Sequence, residues 1–327
     1  MSAPASVPSA RSLWNRAWSI SPLLTLATAA MALGAVCTTL GLFLDARHLM
    51  GEPLWLKPTK FFLSLAAYNA SLLYFFSFLS ERPRLVRVTG NILAVASAIE
   101  MVAITLQAAR GVRSHFNVGS PLDAAIFSVM GITITVLWGT MILLAVVLLR
   151  SRLEDRPLAA ALRLGFIAAV MGMGLGYFMT NPRPTQLESL RTRQGVLESG
   201  SHTFGAPDGG PGLPLVGWST VAGDMRPAHF LGLHAMQVLP LLAALLARRR
   251  HLSETRRLAL VRASGVAYVG GMGVLAVQAL RGVSIVHWDA VGLSALALVA
   301  LASLATAALH AGSKPGPALE KRPSLGA

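Results

Sequence analysis

"PLLTLATAAMALGAVCTTLGLFL", residues 22–44, carries no charged side chain from end to end. At about 1.5 Å of rise per helical residue, this run crosses the roughly 30 Å hydrocarbon layer of a bilayer. Lipid offers the backbone no hydrogen-bond partner, so a segment immersed in it must satisfy its own N–H and C=O groups, and a helix does so. Working outward, the same reading applies to 57–79, 88–110, 121–149, 158–180, 227–247, 258–280 and 287–310, which makes eight expected spans. The composition agrees: the 327-residue chain is 54% hydrophobic and only 13% charged, far from the balance of a soluble domain. A short polar segment, 1–20, precedes the first run. No small-residue cleavage site follows that run, so it reads as an uncleaved span rather than a signal peptide.

The formal net charge is +14, and its placement argues against nucleic acid as a partner. Arg11 and Arg16, "ERPRLVR" (81–87), "RSRLEDR" (150–156), "RRRHLSETRR" (248–257) and the tail, 313–327, with Lys314, Lys321 and Arg322 all fall at one end of the helices. The positive-inside rule makes that end cytoplasmic, with both termini inside, as expected for a multi-pass protein of a bacterial inner membrane. Cys37 is the lone cysteine, so no disulfide is expected and its role is packing. The longest extramembrane stretch, 181–226, then lies outside. Its "GAPDGGPGLPLVGW" (205–218) reads as a string of turns, and Leu213, Leu215, Val216 and Trp218 give it apolar groups with which to cover the helix ends.

Two internal matches set the architecture. "LQAARGVRSHFN" (106–117) aligns with "VQALRGVSIVHWD" (277–289), pairing Gln107, Arg110, Gly111, Val112 and His115 with Gln278, Arg281, Gly282, Val283 and His287. "KPTKF" (57–61) aligns with "RPAHF" (226–230), with Lys57 opposite Arg226 and Lys60 opposite His229. Both offsets are close to 170 residues, so 21–150 and 156–312 are expected to be tandem four-helix repeats. Four spans per copy bring both copies into the membrane the same way round, related by a pseudo-twofold axis along the membrane normal.

The polar residues within this oily frame are the candidate site. His48, His115, His202, His229, His234 and His287 all map to the outer side. On span six, His229 lies about 3 Å and His234 about 10 Å along the helix from Pro227, and five residues turn them about 140° apart, so they do not ligate one metal together. Gln237 shares the face of His234. On span three, Glu100 sits about 15 Å below Arg110, with Gln107 on the same face; a carboxyl at that depth requires protonation or a partner, for which His234 is a candidate. Glu100, His234 and Gln237 are therefore the catalytic candidates. "SPLD" (120–123) is explained as a helix start. "GMGLG" (172–176) and "VGGMG" (269–273) read as small-residue contacts between helices. No zinc-ligand spacing, phosphate loop or nucleophile elbow is present.

Spans six and eight both begin outside, which puts His229 and His287 at one depth, where they are placed to hold a haem iron with Arg226 and Arg281 facing its propionates. His115, Arg110, Lys57, Lys60, Gln107 and Gln278 complete the candidate binding set. Eight spans in two four-helix halves with histidines at helix ends resemble the haem A synthase architecture, which implies a haem-dependent redox protein. The first copy departs from that pattern, having Lys60 where a ligating histidine is required. The chain also resembles bacterial membrane proteins of unassigned function that carry "WLKPTKF" and "GDMRPAHFLGLHAMQ", a likeness that implies no activity. A proton-coupled transporter would use the duplication and Glu100; an outer-leaflet enzyme or binding protein for an anionic lipid or small molecule would use the Lys and Arg set equally well.

Overall fold

The computed structural model describes residues 9–192 and 195–311, so the tail with Lys314, Lys321 and Arg322 lies outside the described residues. Helix α1 spans Ala10–Ile20, α2 Pro22–Leu44, α3 Leu56–Phe76, α4 Pro83–Ala109, α5 Pro121–Arg150, α6 Arg156–Thr180, α7 Pro184–Arg191, α8 Arg226–Ala247, α9 Glu254–Leu280 and α10 Ala290–Ala311. Eight of these, all but α1 and α7, are long and apolar enough to cross a membrane. The chain is an all-helical, multi-pass membrane protein. Extended pairing among the described residues comprises two antiparallel pairs of two residues each, one placing His48 opposite Pro53 and one placing Thr203 opposite Asp224, and two isolated bridges, Asn117 with Glu198 and Gly212 with Ser219.

Helix starts follow local chemistry. Ser120, Asp155 and Ser253 accept a hydrogen bond from the amide three residues on, and prolines occupy the first turns of α2, α4, α5, α6 and α8, where the missing N–H has no helical partner to lose. The expected spans hold, but α4 and α9 begin earlier than their hydropathy shows, because Pro83 and Ser253 start the helix within a charged turn. The segment before α2 is more than polar: α1 presents Arg11 and Arg16 together with Trp14 and Trp18, whose rings stack at 5.9 Å. Its Ala17 and Ile20 pack against the core, an arrangement suited to the membrane interface.

Alternate helices reverse direction, so the bundle has two ends, which we term the loop face (bearing 181–226) and the basic face. The basic-face half is solid. Phe75 and Phe76 of α3, Leu144 and Leu148 of α5, and Leu162 and Phe166 of α6 are buried in one cluster, with Phe75 and Phe166 rings 4.4 Å apart. Lipid tails are as apolar as these side chains, so this half is held by close packing rather than by escape from water. The glycines of 172–176 serve as expected: a Cβ on Gly172 would lie 2.5 Å from Gly232 Cα, so α6 and α8 meet backbone to backbone. Helix α10 packs mainly on α9 and leaves Leu293, Leu298, Leu301 and Leu304 exposed.

The two "QxxRGV" segments close in the same local way. Gly111 and Gly282 have φ of 71° and 74°; the amides of Val112 and Val283 donate to the carbonyls of Gln107 and Gln278; and the glutamine Nε2 atoms donate to the carbonyls of Arg113 and Ser284. Arg110 and Arg281 each reach a carboxylate near the start of the next helix, Asp123 and Asp289.

Candidate functional site

At the loop face, the packed seam opens into a cavity of about 690 Å³ bounded by α3, α4, α5, α6 and α8 and roofed by residues 202–219. The roof is built, not draped. Asp208 accepts from Ser201 Oγ at 2.7 Å, from the amides of His202 and Thr203, and from Thr203 Oγ1 at 2.8 Å. Arg183 lies over the Phe204 ring at 3.7 Å and donates to the Ser201 carbonyl at 2.7 Å; burial lowers its pKa, opposed by Asp208. Lys60 donates to the carbonyls of Leu215 and Val216. Leu215 is 78% exposed, with φ of 66°, so the covering role falls to its neighbours, with Trp218 set against Phe230.

The cations of the mouth are mostly spoken for. Lys60 pairs with Glu52 at 3.5 Å, Arg113 with Glu198, and Arg226 with Asp224 at 2.6 Å. Lys57 is different. Among the described residues it has no carboxylate partner; its Nζ donates to His115 Nδ1 at 3.2 Å, and its charge faces a largely apolar chamber.

Four imidazoles, those of His115, His202, His229 and His234, line the same chamber. His115 Nδ1, which also lies 3.0 Å from Ser114 Oγ, acts as acceptor, placing the ring proton on Nε2. Burial first, and then the Lys57 charge, hold the His115 pKa well below its ordinary value. His202 Nδ1 meets Asp208 Oδ2 at 2.7 Å and His229 Nδ1 meets the Gly172 carbonyl at 2.7 Å. Both of those partners accept, so each neutral ring keeps its Nε2 lone pair free. Burial opposes ionisation of Asp208, but the His202 and Ser201 hydrogen bonds outweigh it and hold the carboxyl far below the usual range. Gly176 leaves room for the His229 ring, since a Cβ there would stand 3.3 Å from it.

The expected site residues thus divide. Lys57, Lys60, Glu100, His115, Arg226, His229, His234 and Gln237 all line the cavity. Gln107, Arg110, Gln278, Arg281 and His287 do not; they belong to the two closed turns, where Arg110 and Arg281 are engaged by Asp123 and Asp289 and the His287 carbonyl accepts from Gln278. His229 and His287 are therefore not brought onto one chamber, and Arg226 and Arg281 are both occupied in ion pairs. No group of three or more metal-ligating side chains is found among the described residues. No family model matches the chain, and neither does any curated protein or solved structure.

His234 and Glu100 share the chamber without bonding: Glu100 Oε1 has no hydrogen-bond partner among the described residues. The sequence reading missed Tyr68, Arg183, Asp208 and Asp224, and placed His202 on the outer side and Arg113 among the basic residues without assigning either to the site. For Asp208 the signal was only its glycine-rich setting, which marks turns without fixing which side chains tie them. Tyr68 gave none, being one aromatic residue among many on an apolar helix.

Proposed function

We propose that this protein binds an anionic amphiphile from the outer side of a bacterial cytoplasmic membrane, in the chamber between two four-helix halves that arose by duplication. Lys57 carries the reading: among the described residues its amine has no carboxylate partner and faces a mostly apolar chamber, where its charged form calls for an anion to compensate it. The chamber's Phe61, Phe127, Met130, Ile134 and Leu233 offer the companion surface for a hydrocarbon body. The outward orientation rests on the arginine-rich basic face. The packed basic-face half supports a one-sided binding site over a transport path.

The test is direct binding of laurate and of lauryl alcohol to the full chain in nanodiscs. A charge-assisted hydrogen bond contributes about 1.5–3 kcal/mol, so Lys57→Met lowers laurate affinity by roughly tenfold to a hundredfold. Lauryl alcohol, lacking the anion, binds both forms alike. Laurate binding that is indifferent to Lys57 overturns the reading, and so does a haem absorption band in the purified protein.

A further inference from the structure

The floor of the chamber has its own unmet chemistry. Tyr68 of α3, Glu100 of α4 and Gln237 of α8 come from three different helices, and all line the cavity. Counting residues from the loop-face helix ends at about 1.5 Å each, they lie about 18 Å, 14 Å and 17 Å deep, which makes a single polar level beneath an apolar middle. Tyr68 and Glu100 are 8% and 4% exposed. Among the described residues, Tyr68 Oη, Glu100 Oε1 and Gln237 Oε1 are buried without a hydrogen-bond partner, although the His234 side chain stands within electrostatic reach of Gln237 and Gln237 Nε2 donates to Ser71 Oγ at 3.0 Å. Buried polar atoms are nearly always partnered, and an orphan in an apolar setting is costly. Three at one level, converging from separate helices, mark a place that a polar group from outside the chain completes.

We propose that the floor is a second recognition point, which takes a hydrogen-bond donor at the far end of the bound amphiphile. The amide oxygen accepts, and the phenol and a protonated carboxyl can each do either. The ligand that satisfies them carries an O–H or N–H group, and one that ends in a bare methyl does not. The preferred molecule is therefore polar at both ends: an anion for Lys57 at the mouth, a hydrocarbon middle, and a hydroxyl or amine at the floor. Selectivity against plain fatty acids follows, because inserting a methyl group would leave the three atoms unpartnered and cut off from water.

This inference rests on the anion-binding reading, and the experiment separates the two. Affinities of ω-hydroxylaurate and laurate are measured for the full chain in nanodiscs, for the unaltered protein and for Glu100→Leu, Tyr68→Phe and Lys57→Met. The expected result is an advantage of roughly tenfold for the hydroxylated acid, the size of one buried hydrogen bond with its avoided desolvation penalty. Glu100→Leu abolishes that advantage by removing an atom that laurate strands, so laurate binds at least as tightly as before, and Tyr68→Phe reduces the advantage. Equal affinities in the unaltered protein, as when the floor holds water alone, overturn the second recognition point even where laurate still depends on Lys57. An advantage that survives in Glu100→Leu overturns the assignment of the donor to this floor. Loss of Lys57 dependence for both acids sinks the underlying reading instead.

Discussion

Removing the Arg226 guanidinium should destabilise the loop face more than removing the charge of its partner. The Asp224 side chain is 0% exposed and that of Arg226 is 21% exposed. The Asp224 carboxylate accepts from the Ser219 amide at 2.8 Å, the Arg226 amide at 3.0 Å, Arg226 Nε at 3.0 Å and Arg226 Nη2 at 2.6 Å. In Arg226→Met two backbone amides remain, but the buried charge loses its counterion, for which losses of about 3–5 kcal/mol are typical. The hydrogen bond from Nη2 to the Gly217 carbonyl adds about 1 kcal/mol more. In Asp224→Asn an oxygen still accepts and the partly exposed guanidinium keeps access to solvent, so the loss is about 1–2 kcal/mol. In the double variant Asp224→Asn/Arg226→Met no charge is stranded, and it should be more stable than Arg226→Met alone. Thermal unfolding in detergent reads the order: unaltered protein highest, then Asp224→Asn, then the double variant, then Arg226→Met. A double variant that melts below Arg226→Met would refute the electrostatic reasoning and make the arginine's contribution one of packing.

At the crossing of α6 and α8, Gly172→Ala drives a methyl carbon against backbone and should cost about 1–3 kcal/mol, whereas Gly271→Ala, where a Cβ meets nothing within 4 Å, should be neutral or slightly stabilising; unfolding of the two variants compares them. His115 is held well below its ordinary value of 6.5, so its contribution to stability is present above that pH and is lost as pH falls, because the unfolded chain takes up a proton that the folded chain refuses. His115→Gln should therefore flatten the acid limb of the melting-temperature profile, and an unchanged limb would show that His115 does not set it. A reporter enzyme active only in the periplasm should work when fused within 185–215 and fail when fused after 315; activity at the second position would reverse the orientation.

The helices were legible because hydropathy and caps are local. Runs without charge set eight spans, and Pro121 with Ser120 or Pro227 beside Arg226 marked where helices begin. Site residues on the α3 and α8 starts were legible for a related reason, since Lys57 and Arg226, and Lys60 and His229, are paired by the aligned segments "KPTKF" and "RPAHF". Helical counting alone overreached when it paired His229 with His287 by depth. Equal depth on two helices says nothing about which side of α9 each faces, and the structure uses the second "QxxRGV" segment to close a turn. The roof was the least legible part: the ties from Asp208 to Ser201, His202 and Thr203 depend on a loop trajectory that no periodicity encodes.

The packed aromatic half also fixes how this protein relates to the energy stored across its membrane. Moving one elementary charge through the whole field is worth about 2.3 kcal/mol per 100 mV. An anion held at Lys57, in the first turn of α3, has entered little of that field, and behind it Phe75, Phe76 and Phe166 leave no path onward. On the proposed anion-binding reading, occupancy of the chamber is set by concentration on one face alone and is indifferent to voltage. On that reading a ligand leaves by the side it entered, in equilibrium with a single compartment, and the membrane would act here as a wall rather than as a battery.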